Sequence, residues 1–290
     1  MMNLDEFYKK YPTASMPLKH GKHFSYRYFK HPRARATLVL LTGGIGLSDL
    51  FYLHFERFAR DFSVITFDYQ IQFADNREFA AAVAELLHNL NEKVWLVGQS
   101  LGGIVAQIIA KNHPEVVDGL VLSNTCSLAE NMSEEAYGHL MGMIESQKKA
   151  KKLLSHIPFP LYKRLIKFAV MKKKTSGFTE PERLLMENLC DAMLKILTKP
   201  YEYHMIDFLV DAKNHFGMTP EDFSLWDNRV LLILSEDDQT FNQACKDSLI
   251  SIMTHPTVVT NITGGHLALL IRLETYADTV SDYITRRLSR

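Results

Sequence analysis

"WLVGQSLGGIVAQ", residues 95–107, places a serine between two glycines where a strand-type pattern gives way to a helical one. Its centre, Gly98 to Gly102, matches the G-x-S-x-G pattern, in which a serine lies on a sharp turn between a strand and a helix. Glycines beside such a turn let the strand and the helix approach closely. The stretch therefore predicts a reactive Ser100 hydroxyl before a helix amino end, whose free N–H groups favour negative charge.

Short apolar runs and helical patterns alternate on both sides of this turn. The runs are rich in Val, Ile and Leu, as expected for strands buried on both faces of a parallel sheet. The predicted strands are 36–44, 62–69, 93–100, 117–125, 229–237 and 256–265, and the predicted helices between and after them are 76–91, 101–115 and 267–288. This alternation predicts a doubly wound, mostly parallel α/β sheet.

One long interval, residues 127–225, contains no strand pattern. It reads as helices over 133–148, 160–174, 180–198 and 201–216, punctuated by Pro158, Pro160, Gly177, Pro200 and Gly217. An all-helical block between two strands is most simply an insertion packed over one edge of the sheet. We therefore expect a core of residues 1–126 and 226–290 with a helical cap at 127–225.

The composition narrows the classes of function. Of the 290 residues, 47% are apolar, and 33 basic side chains balance 33 acidic ones, so no overall charge indicates nucleic acid or membrane as the main partner. The beginning of the chain is too polar for a signal peptide, and no apolar run is long enough to span a bilayer. Three scattered cysteines form neither a metal pattern nor a disulfide framework. We expect a cytoplasmic protein, and the sequence carries no signal for an oligomeric state.

A serine hydroxyl is a weak nucleophile and needs a base held by a carboxylate. His266 follows the last predicted strand at the carboxyl edge of the sheet, which also carries Ser100. His20 and His23 lie before the first predicted strand and are expected on the surface, and the remaining histidines lack comparable context. Asp238, just after the strand at 229–237, is the leading acid and Asp237 the reserve, because the strand before the insertion ends without a carboxylate.

Four stretches together resemble the α/β-hydrolase fold superfamily, in its capped esterase-like branch: "LLTGGIG", "VGQSLGG", "LSEDDQTF" and "GGHLALL". The resemblance covers about residues 20 to 288. It implies that the helical interval is a cap and that the acid stands three residues after Ser235, at Asp238. It also implies a serine hydrolase without a metal or organic cofactor, acting on a small-molecule ester.

The same resemblance implies an oxyanion hole formed by the backbone N–H groups of Gly44 and Leu101. Many relatives carry His-Gly in the loop that follows the strand in "LVLLTGG", whereas this chain has Thr42-Gly43 there. The glycines are also compatible with a turn that merely lets a strand and a helix pack. They do not complete a dinucleotide-binding or phosphate-binding pattern.

The predicted cap carries a basic segment, residues 148–174, with ten Lys and Arg side chains and no acidic residue. A solvated helix face explains it best, and attraction to an anionic substrate or lipid surface is the alternative. Apolar cap side chains should line a pocket for an acyl or alkyl group, with Met141, Met143, Met186 and Met193 making it tolerant of shape. Thioester, amide or carbon–carbon bond hydrolysis, acyl transfer, and a non-catalytic binding role remain open.

Overall fold

The computed structural model describes residues 2–173 and 178–289, with the side chain of Lys173 left out. The predicted residues Lys174 and Gly177 therefore lie outside the described part of the chain. Eight strands form one sheet in the order β1-β2-β4-β3-β5-β6-β7-β8. They are β1 (Ala14–Pro17), β2 (His23–Phe29), β3 (Thr37–Leu41), β4 (Ser63–Thr66), β5 (Val94–Gln99), β6 (Val117–Ser123), β7 (Val230–Ile233) and β8 (Thr257–Val259).

The mostly parallel α/β architecture predicted from the sequence is confirmed. Strands β3 to β8 pair in parallel, whereas β1 and β2 are antiparallel additions at one edge. Neither of these edge strands was predicted, and the expectation that His23 precedes the sheet was wrong, because His23 begins β2. The expected strand at 256–265 is also shorter, since only Thr257–Val259 pair with β7.

The described helices connect and cover these strands. They are α1 (Leu4–Lys10), α2 (Tyr52–Phe58), α3 (Asn76–Leu90), α4 (Leu101–Asn112), α5 (Glu134–His156), α6 (Phe159–Lys173), α7 (Glu180–Ile196), α8 (Lys199–Asp211), α9 (Gln243–Ile252), α10 (Ala268–Ile271) and α11 (Leu273–Leu288). The single helix expected over 267–288 is thus divided at Arg272, whose backbone leaves the helical region. Helices α1, α2 and α9 were not predicted.

Side chains of the central strands point alternately into two apolar cores. In β3, Val39 and Leu41 join the core that α3, α4 and α9 cover, whereas Leu38 and Leu40 join the core that α1, α2 and α11 cover. This alternation is the strand period of two residues, applied to a sheet covered on both faces. The doubly covered sheet leaves its carboxyl edge as the place where loops can form a site.

Helices α5 to α8 form the helical insertion between β6 and β7. The chain leaves and returns at one place, because Ala129 and Met218 form a parallel bridge and the backbone N–H groups of Gly217 and Met218 both donate to the Leu128 carbonyl. The exact boundaries 127 and 225 stay predictions. The insertion begins directly after β6. It therefore starts beside the end of β5, the strand that leads into Ser100.

Candidate active site

Ser100 lies in the turn between β5 and α4 with φ 54° and ψ −120°, a backbone conformation that residues with a Cβ rarely adopt. The turn is tight because the strand and the helix nearly touch. A Cβ on Gly98 would lie 2.3 Å from the Gly102 carbonyl oxygen, and a Cβ on Gly102 would lie 2.1 Å from that of Leu41. These contacts explain why glycine occupies both positions around the serine.

The structure brings Ser100, His266 and Asp238 into one hydrogen-bonded chain. The Ser100 Oγ lies 3.0 Å from the His266 Nε2, and the His266 Nδ1 lies 3.0 Å from the Asp238 Oδ2. Asp237 points elsewhere and accepts a hydrogen bond from the Gly264 N–H. The geometry therefore favours Asp238 over Asp237 as the carboxylate that orients His266.

Asp238 is fixed by its own loop. Its side chain is fully buried, and its Oδ1 accepts a hydrogen bond from the Thr240 N–H at 2.7 Å. The Thr240 carbonyl in turn contacts the His139 Nε2 on α5 at 2.8 Å. The loop after β7 thus holds one carboxylate oxygen of Asp238, α5 contacts that loop, and the other oxygen is directed at the imidazole.

Two side chains that sequence reasoning did not single out position the histidine loop. The Asn124 Nδ2, at the end of β6, donates to the Gly265 carbonyl, while its Oδ1 accepts from the Ser235 N–H. Gln99, directly before the serine, donates to the His266 carbonyl, and its Nε2 lies 3.3 Å from the His266 Nε2. The signal in the sequence was their position at strand ends, where polar side chains meet at one edge.

Two tyrosines from other parts of the chain hold the loop after β3. Tyr69 donates to the Thr42 carbonyl, and Tyr201 of α8 donates to the Gly46 carbonyl, each at 2.7 Å. Gly46 has φ +67°, and a Cβ there would overlap Met205, so α8 packs directly on this loop. The loop places Gly44 in the lining of the cavity that contains Ser100. Leu101, directly after Ser100, is the first residue of α4, so its N–H has no partner within the helix.

A cavity of about 440 Å³ lies between the sheet edge and the insertion. Ser100, Gln99 and His266 line the sheet side, and His266 is the only histidine in the described lining. Met186 and Met193 line the cavity as predicted, together with Met205 and other aliphatic side chains of α6 to α8. The prediction for Met141 and Met143 was wrong, since neither belongs to the lining. The cavity is apolar over most of its surface and polar near the serine.

Acidic side chains from neighbouring segments pair with the basic segment of the insertion. Lys148 pairs with Glu145, Lys151 with Asp207, and Lys167 with both Glu187 and Asp191. These pairs are mostly exposed and contribute little stability each. Whether the segment binds an anionic substrate or lipid surface stays a prediction.

A metal centre is not formed by the described residues: within 2–173 and 178–289, no three His, Cys, Asp or Glu side chains converge in a way that could hold an ion. The same described residues contain no helix that is both long and apolar enough to cross a bilayer.

A parallel sheet with a strained serine turn and a serine–histidine–aspartate chain at its carboxyl edge defines the hydrolase class of α/β proteins. A family model described as the alpha/beta hydrolase fold matches residues 36–273. The chain belongs to the alpha/beta hydrolase fold family.

Solved structures share this fold over nearly the whole chain. A thermophilic esterase from Thermogutta terrifontis superposes with a TM-score of 0.73 at 16% identity, covering 95% of this chain and 98% of the esterase. MenH from S. aureus superposes with a TM-score of 0.71 at 16% identity, covering 91% of this chain and 99% of MenH. At these identities the likeness concerns the fold alone.

One curated protein is similar over a shorter stretch. The putative carbamate hydrolase RutD of Agrobacterium fabrum is 29% identical over 123 residues, which cover 39% of this chain and 47% of RutD. The matched region thus spans about half the length of that relative.

Proposed function

We propose that the protein is a serine hydrolase that cleaves a small to medium carboxylic ester through an acyl-enzyme intermediate. The observation that carries this proposal is the continuous chain from the Ser100 Oγ to the His266 Nε2 and from the His266 Nδ1 to the Asp238 Oδ2, with both distances at 3.0 Å. These are hydrogen-bonding distances from nucleophile to base and from base to orienting acid, as acyl transfer requires.

In the proposed reaction, the Ser100 Oγ attacks the ester carbonyl carbon while its proton moves to the His266 Nε2. Asp238 accepts the hydrogen bond from the Nδ1–H and stabilises the imidazolium. The carbon–oxygen bond to the alcohol then breaks, and the alcohol leaves with the proton from His266. Water, deprotonated by the same imidazole, attacks the acyl-enzyme, and the acid product and the Ser100 hydroxyl are released.

The negative oxygen of the tetrahedral intermediate needs donors that are already in place. We assign this role to the N–H groups of Gly44 and Leu101. Two features support the assignment: Gly44 lines the cavity that contains Ser100, and the Leu101 N–H, in the first turn of α4, has no partner within that helix. A single donor of this kind typically contributes about 2.7–4 kcal/mol of transition-state stabilisation.

The shape of the cavity supports a substrate with an apolar part. Ile166, Met186 and Met193 are among the aliphatic side chains that face the space beyond the serine. An acyl or alkyl chain bound there would be removed from contact with water. This removal favours binding by about 25 cal/mol per Å² of apolar surface buried.

The proposal is tested by kinetics on short p-nitrophenyl esters. Ser100→Ala and His266→Ala should each lower kcat by roughly a millionfold, to the limit of detection. Ser146→Ala on the exposed part of α5 and His23→Ala on the exposed edge of β2 are the matched controls and should keep full activity. Full activity in either site variant, or no cleavage of any ester by the natural protein, would refute the proposal.

A carbamate is a second candidate substrate, because the curated relative matched over 123 residues is named a putative carbamate hydrolase. The same attack on a carbamate carbonyl would form a carbamoyl-serine in place of an acyl-serine. Turnover of an aryl carbamate faster than that of the matched aryl ester would favour this candidate.

A further inference from the structure

We propose that the insertion side of the cavity is a polar subsite, at which Glu202 accepts a hydrogen bond from an N–H or O–H group on the tail of the substrate. This inference rests on the proposed function, because it names a substrate class for the same cavity. The predicted substrate has a scissile carbonyl at Ser100, an apolar middle and a hydrogen-bond donor toward its end.

The polar groups of the lining fall into two sets. Gln99, Ser100 and His266 belong to the sheet edge, whereas Gln147, Tyr162 and Glu202 belong to three different helices of the insertion, α5, α6 and α8. Aliphatic side chains such as Ile166, Met193 and Ile206 form much of the remaining lining. A ligand that fills the cavity therefore meets polar groups on two sides with apolar surface between them.

Glu202 is held by one neighbour and retains free acceptor capacity. The Tyr162 hydroxyl donates to its Oε1 at 2.8 Å. Within the described residues, no protein donor reaches its Oε2, although a carboxylate can accept at both oxygens. Glu202 is partly exposed and lines the cavity, so its open oxygen can accept a hydrogen bond from a donor that the ligand brings.

Burial raises the pKa of both members of the pair. Burial and the neighbouring Glu202 raise the pKa of Tyr162, so its hydroxyl keeps its proton and donates. Burial also raises the pKa of Glu202, against the opposing effect of the Tyr162 hydrogen bond. The carboxylate is thus poorly solvated, and a hydrogen bond from a ligand would replace solvation that it lacks.

The acceptor character of Glu202 selects the substrate class. A carboxylate accepts hydrogen bonds and does not donate them, so it favours a hydroxyl, amide or amine tail over an ether, ketone or plain alkyl tail. A tail without a donor leaves the desolvated carboxylate without a partner. Its binding is therefore weakened more than that of a tail that differs only in length.

The test compares p-nitrophenyl esters of ω-hydroxyacyl chains with plain acyl chains that carry a methyl in place of the hydroxyl, at several lengths too long to cyclise readily. The natural protein should prefer the hydroxyl ester at its best length by about tenfold to a hundredfold in kcat/KM, mainly through KM. Equal kcat/KM for both esters at every length would overturn the inference.

Glu202→Gln should clearly reduce this preference, because the glutamine Oε1 still accepts from Tyr162 while an NH₂ group, which cannot accept from the ligand's O–H, replaces the open acceptor oxygen. Glu145→Gln is the matched control: it makes the same change on an exposed part of α5, outside the cavity lining, and should keep the preference. Thermal unfolding checks that both variants are folded. Retention of the preference in folded Glu202→Gln contradicts the inference.

A binding measurement separates this inference from the proposed function and does not require a folded Glu202 variant. Ser100→Ala should bind the hydroxyl ester more tightly than the plain ester in calorimetry. If the natural protein cleaves neither ester but Ser100→Ala shows this preference, ester hydrolysis is wrong and the subsite stands. If Ser100→Ala binds both equally, the subsite is refuted whether or not the esters are cleaved.

Discussion

Ser100, Asp238 and His266 could be placed from the sequence because each follows a recognisable strand, and parallel strands bring their carboxyl ends to one edge. Gln99 and Asn124 could not be assigned their positioning contacts. Their hydrogen-bond partners in the histidine loop are 167 and 141 residues away, and no local pattern records a contact of that kind. The ends of recognisable strands could be placed from the sequence, whereas contacts that depend on the path of a loop could not.

The two adjacent aspartates give a test at the level of single residues. Asp238→Asn should lower kcat for an ester by roughly a thousandfold to ten-thousandfold, because an amide no longer fixes the imidazole tautomer that accepts the serine proton. Asp237→Asn is the control and should stay close to natural activity, since Asp237 contacts the Gly264 N–H and not His266. The reverse order of effects would transfer the acid role to Asp237.

At the level of elements, the buried parallel strands were predictable because their continuous apolar runs are distinctive. The edge strands were missed because β1 is short and exposed and β2 mixes aromatic with basic residues. In β2, only Phe24 and Tyr26 are buried, on alternate positions, which is the weaker signal of a half-covered strand. The final helix is interrupted at Arg272, where no proline or glycine in the sequence indicates a break.

The packing of α4 against β3 gives a prediction at this level. Gly102→Ala should destabilise the fold by about 3 kcal/mol or more, because the added Cβ would lie 2.1 Å from the rigid Leu41 carbonyl oxygen. Gly142→Ala in α5 is the control, since nothing lies within 4 Å of its Cβ position. That variant should gain roughly 0.5–1 kcal/mol from helix propensity. Denaturant unfolding measures both, and equal stability of the two variants would contradict the packing argument.

At the level of the whole molecule, the helical insertion and its place above the sheet edge were predictable from the gap in the strand pattern. The face that each insertion helix turns toward the cavity was not predictable, because it depends on the angles at which these helices cross. On α6, Tyr162 and Ile166 face the cavity while Leu161 and Phe168 are exposed, and all four lie in one mixed run of sequence. The predicted cavity methionines were therefore right on α7 and wrong on α5.

The global stability of the chain should depend on pH through His54. This residue is buried between Phe51 and Tyr276 and contacts the Leu269 carbonyl in α10, and burial lowers its pKa from 6.5 to about 4. Between pH 6.5 and about pH 4 the unfolded chain binds a proton at this histidine that the folded protein does not bind. The free energy of unfolding therefore has its full value above pH 6.5 and decreases as the pH falls toward 4. The full decrease in the free energy of unfolding is about 3 kcal/mol.

Thermal unfolding between pH 7 and pH 4 measures this dependence. His54→Gln should flatten the decline in Tm, whereas His23→Gln, at an exposed site in β2, should leave it unchanged. An identical decline in the natural protein and in His54→Gln would show that other groups cause the acid sensitivity.

The measurement that tests the central claim most directly is peptide mapping by mass spectrometry after treatment with a fluorophosphonate, which reacts preferentially with an activated serine. The account predicts one adduct on Ser100 within the peptide that contains Gly98–Gly102, no adduct in His266→Ala, and ester hydrolysis that falls in step with labelling. An adduct on a different residue, or full hydrolysis after Ser100 is completely modified, would contradict it.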